Sequence, residues 1–166
     1  MFEAAEVLKQ LKNEINLELN NILNYWSNTT VDKENGGFYG RITEKDQLVA
    51  TFDKGVILNT RILWTFSSSF QLIGKKEYLA VATRAKDYLI NHFWDKKFAG
   101  VYWMLDFKGN PVNKKKQIYA QAFAIYALSE YYRVTGDCEA LDYAIWLFEL
   151  IEQCSYDSEN PGYFEA

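Results

Sequence analysis

Asp32-Lys-Glu-Asn-Gly-Gly-Phe-Tyr39 returns as Asp95-Lys-Lys-Phe-Ala-Gly-Val-Tyr102 and again as Asp157-Ser-Glu-Asn-Pro-Gly-Tyr-Phe164. In each copy an Asp stands five residues before a Gly, and an aromatic residue follows within two positions. The steps are 63 residues from Asp32 to Asp95 and 62 from Asp95 to Asp157. Between the loops the register holds without a gap at an offset of 62: Lys54 aligns with Lys116, Gly74 with Gly136, Ala82 with Ala144 and Leu89 with Ile151. A helical unit of this length cannot bury its apolar face alone and must stack on its neighbours.

Each unit contains two helical segments. The leading helices, near 54–73 and 116–134, are apolar almost all round, with Ile57, Leu58, Ile62, Leu63, Trp64 and Phe66 in one and Ile118, Phe123, Ile125, Tyr126 and Leu128 in the other. Such helices are expected to be packed on every side. The partner helices, near 75–93 and 137–154, are one-sided: Tyr78, Leu79, Ala82, Ala85, Leu89 and Phe93 form a stripe, with Lys75, Lys76, Arg84, Lys86 and Asp87 largely off it. Gly74 and Gly136 punctuate the junctions, where glycine caps a helix in the left-handed conformation. An opening amphipathic helix, near 4–26, is of the outer kind. Inner helix, outer helix, aromatic loop, repeated and closed into a ring, make an all-α toroid. The segments Phe38–Thr43 and Val101–Phe107 read as small hairpins, with Gly109-Asn110-Pro111 as turn chemistry.

With 166 residues the chain is long enough for one domain with a real core, and one domain over 1–166 is the expectation. The net charge of −4 and the lack of a basic stripe argue against nucleic acid. Lys114-Lys115-Lys116 reads as a solvated helix start. No stretch has the apolar length of a membrane span or a signal core, which points to the cytoplasm. Cys138 and Cys154 fall on one predicted helix about 24 Å apart, too far to pair. No Cys/His cluster suggests a metal, and no cofactor is expected. The third loop stops after Gly162-Tyr-Phe-Glu-Ala166. Five helices and a severed repeat do not close a ring, so the chain reads as the N-terminal part of something roughly twice as long or more.

Arg61 breaks the apolar run from Val56 to Phe66. A guanidinium mid-helix in such a run usually meets a carboxylate or faces a polar cavity, so its position alone leaves both an ion-pair and a ligand role open.

Gly36-Gly-Phe-Tyr-Gly-Arg-Ile42, Lys54-Gly-Val-Ile-Leu-Asn-Thr-Arg-Ile-Leu-Trp-Thr-Phe-Ser67, Lys116-Gln-Ile-Tyr-Ala-Gln-Ala-Phe123 and Gly162-Tyr-Phe-Glu-Ala166 together resemble the N-acylglucosamine 2-epimerase superfamily, over essentially the whole chain and in order. The Gly-Phe-Tyr-Gly-Arg-Ile and Leu-Asn-x-Arg-Ile-Leu-Trp segments favour its cellobiose branch. The resemblance implies an (α/α)6 barrel and C2 epimerisation of the reducing-end glucose of a β-1,4-linked disaccharide, through ring opening and an enediolate. Two histidines act as acid and base in that family, and an arginine holds the oxygens where charge develops. Arg61 matches the arginine. Tyr119 matches a cleft tyrosine, although a core tyrosine looks the same in sequence. Asn59 and Trp103 are the further substrate-binding expectations. The family's histidines come from later repeats. His92, the single histidine here, ends an outer helix, aligns with Cys154 and reads as a helix-end residue.

The alternatives are an N-acylglucosamine 2-epimerase or aldose–ketose isomerase of the same superfamily, another (α/α)6 carbohydrate enzyme, or a helical scaffold without chemistry. A glycoside hydrolase wants paired carboxylates, and Glu130 stands alone on its predicted helix. The small-molecule partner is a disaccharide. The 166-residue chain by itself is expected to lack activity and to self-associate through uncovered apolar faces.

Overall fold

The computed structural model describes residues 2–165. They fall into two compact units, the first reaching Val31 and the second starting at Asp32. The first unit is one long helix, α1 (Phe2–Thr29). Leu8, Leu11, Ile15, Leu19, Ile22 and Trp26 recur at helical spacing along it. Most of these residues are exposed, whereas Leu23 is fully buried.

The second unit carries the repeat. Its helices are α2 (Val56–Ile73), α3 (Lys76–Tyr88), α4 (Ile118–Thr135) and α5 (Cys138–Ser155). A π-helical turn, Leu89–Phe93, prolongs α3. The expected positions are met to within a few residues. Gly74 (φ 78°) and Gly136 (φ 73°) both close their helices in the left-handed region, each donating its N–H back to a carbonyl of the last turn. α2 packs on α3 and α4, and α4 packs on α2 and α5. The core between them is Val56, Leu63, Phe66, Tyr78, Ala82, Leu128 and Leu147.

The expectation that α2 and α4 are packed on every side is corrected by the structure. Tyr119 is 47% exposed and Tyr126 51% exposed on α4, and Arg61 is exposed on α2. Within this unit, each inner helix has its outer partner on one side and the other inner helix beside it. The remaining face is open, so the apolar and aromatic residues there meet no further helix.

Strand is confined to short hairpins, as the pattern indicated. β1 (Lys54–Gly55), β2 (Met104–Leu105) and β3 (Pro111–Asn113) form an antiparallel sheet in that order. The β2–β3 hairpin turns on Asp106, whose carboxylate accepts the N–H groups of Lys108 and Asn110, with Gly109 at φ 94°. A smaller hairpin bridges Ile42 to Leu48. β4 (Tyr156–Asp157) and β5 (Gly162–Tyr163) pair at the third loop.

The repeated loops share one construction. Asp32 N–H donates to Gly37 O (3.2 Å), Asp95 N–H donates to Gly100 O (2.8 Å), and Asp157 pairs with Gly162 across β4–β5. Each Asp also caps its own turn, Oδ1 accepting two N–H groups two and three residues on. Closing the loop puts Gly37 at φ 61° and Gly100 at φ 76°, and a Cβ on Gly37 would stand 2.7 Å from the Tyr88 ring.

In the first two loops the second carboxylate oxygen binds a lysine. Lys54 Nζ lies 2.7 Å from Asp32 Oδ2 and 2.7 Å from Gly36 O; Lys116 Nζ lies 2.9 Å from Asp95 Oδ2 and also reaches Ala99 O. Lys116 is therefore not the solvated helix start its basic run suggested. It locks an aromatic loop to the beginning of an inner helix, as Lys54 does one repeat earlier. Burial pushes the Asp95 carboxyl up, but the Lys116 ammonium and the N–H groups of Lys97 and Phe98 outweigh it and hold the pKa at about 2, below the ordinary 3.8. A carboxyl held low in the folded state stabilises it above the ordinary value and loses that contribution as pH falls from about 4 toward 2. Acid unfolding followed by circular dichroism is expected to show this loss, and Asp95→Asn to flatten the acid limb while lowering stability at neutral pH.

Candidate functional site

The open face of the α2–α4 pair gathers the chain's chemistry. Residues 62 apart in sequence stand side by side there: Arg61 beside Phe123, and Trp64 beside Tyr126. The Arg61 guanidinium carbon lies 5.2 Å from the centre of the Phe123 ring. Trp64 and Tyr126 stack with centroids 5.1 Å apart and planes 13° from parallel. Phe123 is wedged between Tyr119 (4.8 Å, 59°) and Tyr126 (6.4 Å, 81°). Spacings of three and four on both helices put these residues on one stripe, which the burial of Ile62, Leu63, Phe66, Ala124 and Leu128 turns away from the core.

Among the described residues no carboxylate pairs with Arg61. A ring face attracts the cation without using its N–H groups. Among the described residues no hydrogen bond engages its N–H groups, which suits the guanidinium to hold anionic oxygen.

Tyr119 lies on the same stripe, in the first turn of α4. That helix has no side-chain cap of its own. Glu165, 46 residues away in sequence, supplies the acceptor: its Oε2 is 3.1 Å from Tyr119 N. Glu165, which stands in the last of the four motifs that carry the family resemblance, thereby reaches the helix that bears Tyr119.

Asn59 does not belong to this face. It is buried, and its Nδ2 donates to Ala85 O on α3 at 2.9 Å. Its repeat counterpart Gln121 is likewise buried, with Oε1 accepting from Val101 N (2.7 Å) and Nε2 donating to Val101 O (2.9 Å). Both amides tie an inner helix to the structure behind it, so the Asn59 side chain is engaged there rather than on the open face. Trp103 is half-buried at the N-terminal end of α2, where its carbonyl accepts Val56 N (3.1 Å). Glu130 pairs with Arg133 within α4 (2.6 Å).

His92 is remote from this chemistry. It stacks on Tyr88 (4.3 Å, 23°) at the π-helical turn, and a Cβ added to Gly109 would stand 2.7 Å from its Nδ1. The Tyr88 hydroxyl is buried there without a hydrogen-bond partner, and burial raises its pKa to about 12. Residues of the α3 side line a groove of about 860 Å³, which Arg84 borders while donating to the carbonyls of Asp32 and Gly37. No described helix is long and apolar enough to cross a membrane.

Residues 37–166 match the family model of N-acylglucosamine 2-epimerase. The chain is 56% identical over 162 residues to a cellobiose 2-epimerase of Bacteroides fragilis, covering 97% of this chain and 41% of that one. It is 47% identical over 154 residues to a cellobiose 2-epimerase of Ruminococcus albus, covering 92% and 39%. The solved cellobiose 2-epimerase of Spirochaeta thermophila superposes with a TM-score of 0.92 at 35% identity, over 96% of this chain and 40% of that one. The chain thus spans about two fifths of the length of the relatives it matches. With a family match over residues 37–166 and relatives of this identity across nearly its whole length, the chain belongs to the N-acylglucosamine 2-epimerase family.

Proposed function

We propose that these 166 residues form the arginine-bearing part of a sugar 2-epimerase that converts the reducing-end glucose of a β-1,4-linked disaccharide to mannose. The observation that carries this reading is Arg61: an exposed guanidinium on the inner-helix face, held by an aromatic ring and paired with no described carboxylate. Once the sugar ring opens, removing the C2 proton places negative charge across O1 and O2. A fixed cation with unspent N–H donors stabilises that enediolate more than the neutral aldose, which lowers the barrier. Arg61 is the residue in this role. Tyr119 and Trp103 are proposed to contact the sugar, and Tyr119 gains support from its place beside Phe123.

The acid and base are a separate matter. C2 epimerisation needs one group to take the proton and another to return it on the opposite face, work suited to histidine near neutral pH. His92 is the one histidine of the sequence, and it is stacked against Tyr88 away from the site. The proposal therefore places acid and base outside these residues, with 1–166 as a single contiguous part of the toroid. The exposed Ile145, Trp146 and Phe148 on α5 support self-association of this stretch when it stands by itself. Two exposed, unpaired cysteines fit a reducing cytoplasm.

The test is a hybrid in which this chain replaces the matched stretch of the Bacteroides fragilis cellobiose 2-epimerase. The hybrid is expected to convert cellobiose to 4-O-glucosyl-mannose, and the 166 residues alone to show no turnover. A folded hybrid that leaves cellobiose unchanged would overturn the proposal. Turnover by the chain alone would show that acid and base have been misplaced.

A further inference from the structure

We infer that Phe123 is a positioning residue for Arg61, setting the guanidinium in place for the enediolate without contacting the reacting atoms; this rests on the functional reading above. An arginine on an open helix face is mobile, and its long side chain carries considerable rotamer entropy. The usual remedy, a carboxylate partner, would also cancel part of the charge the reaction uses. The Phe123 ring restrains the cation at 5.2 Å without using its N–H groups, which among the described residues make no hydrogen bond.

The ring is itself held. Tyr119 leans on one side at 4.8 Å and Tyr126 meets it edge-on at 6.4 Å. Tyr126 is in turn stacked on Trp64, three residues after Arg61 on α2. The contacts form a closed circuit, from Arg61 to Phe123 to Tyr126 to Trp64 and back along α2. A circuit anchored on both helices transmits their rigid packing to one exposed side chain, which is how a precise site is built on an open face. The half-buried position of Phe123 separates it from the core residues Ala124 and Leu128, whose loss would chiefly affect folding.

Graded fluorination of Phe123 in the active hybrid tests the inference. Adding fluorine to the ring keeps its shape and drains the negative face that attracts the cation. The turnover number for cellobiose is expected to fall stepwise with each fluorine, to a total of about three- to thirtyfold, while KM changes less than about twofold and the melting temperature holds. Phe123→Leu is expected to give a similar loss and Phe123→Tyr to restore most of it. In an Arg61→Ala background, fluorination or Phe123→Leu is expected to add nothing, because the group it positions is gone. A turnover number indifferent to fluorination, or a Phe123→Leu penalty undiminished when Arg61 is absent, would overturn the positioning role and leave the function of Arg61 standing. If Arg61→Ala itself left turnover intact, the functional reading would fall first.

Discussion

Arg61→Ala in the active hybrid is expected to lower kcat by about 10²- to 10³-fold, a loss of roughly 3–4 kcal/mol of transition-state stabilisation, by comparison with removal of a single oxyanion donor. The loss falls on kcat because the contact is made mainly to charge that develops during proton removal. Arg61→Lys keeps the charge but loses the planar fork and most of the ring contact, so it is expected to recover only a small part. Steady-state kinetics on cellobiose distinguish the alternatives: a change confined to KM would make Arg61 a binding residue.

Lys54→Met is expected to cost about 3–5 kcal/mol of folding stability, the range for removing one partner of a buried ion pair. Asp32 is fully buried and the Lys54 side chain 4% exposed, so the abandoned carboxylate has no water to turn to. Burial pushes the Asp32 carboxyl up, but the N–H groups of Asn35 and Glu34 and the Lys54 ammonium together hold it below its ordinary range. Lys116→Met removes the equivalent partner one repeat later, where the lysine side chain is 27% exposed, and is expected to cost less. Urea unfolding of the hybrid would give the order Lys54→Met, then Lys116→Met, then the parent. Asp32→Asn combined with Lys54→Met should regain part of the loss by removing the orphaned charge. Equal, negligible effects at both positions would show that the loops are held by their own turns alone.

The repeat was legible because it is written in residues with one conformational use. An Asp that caps its own turn and a Gly at positive φ five residues later recur wherever that loop is built, so Asp32, Asp95 and Asp157 announced the period and Gly74 and Gly136 the helix ends. Alignment also set Lys54 over Lys116, yet equivalence is not contact. Each lysine finds its aspartate 22 or 21 residues earlier, a pairing that only the folded loop reveals.

The site was legible in part. Arg61 was visible as a charge in an apolar run; of the two roles left open for it, no described carboxylate pairs with it, and a ring contact on the open face, which the sequence did not indicate, holds it instead. Asn59 was expected to bind substrate, and it stands two residues from Arg61. Two residues on a helix are about 200° apart, so neighbours in a motif point to opposite sides. Comparing Asn59 with Gln121 one repeat later shows two buried amides, each bonded to backbone behind its inner helix. Glu165 stood in the last family motif, but its contact depends on the third loop reaching back to the first turn of α4, which the motif alone does not show.

The central claim is that Arg61 stabilises an enediolate formed by loss of the C2 proton. Its most direct test is nuclear magnetic resonance of cellobiose in deuterium oxide with the hybrid and its Arg61→Ala variant. The account predicts glucosyl-mannose carrying solvent deuterium at C2 with the parent hybrid, and incorporation slowed by about 10²-fold or more in the variant. Epimerised product that retains protium at C2, or equal rates of incorporation in the two proteins, would contradict it.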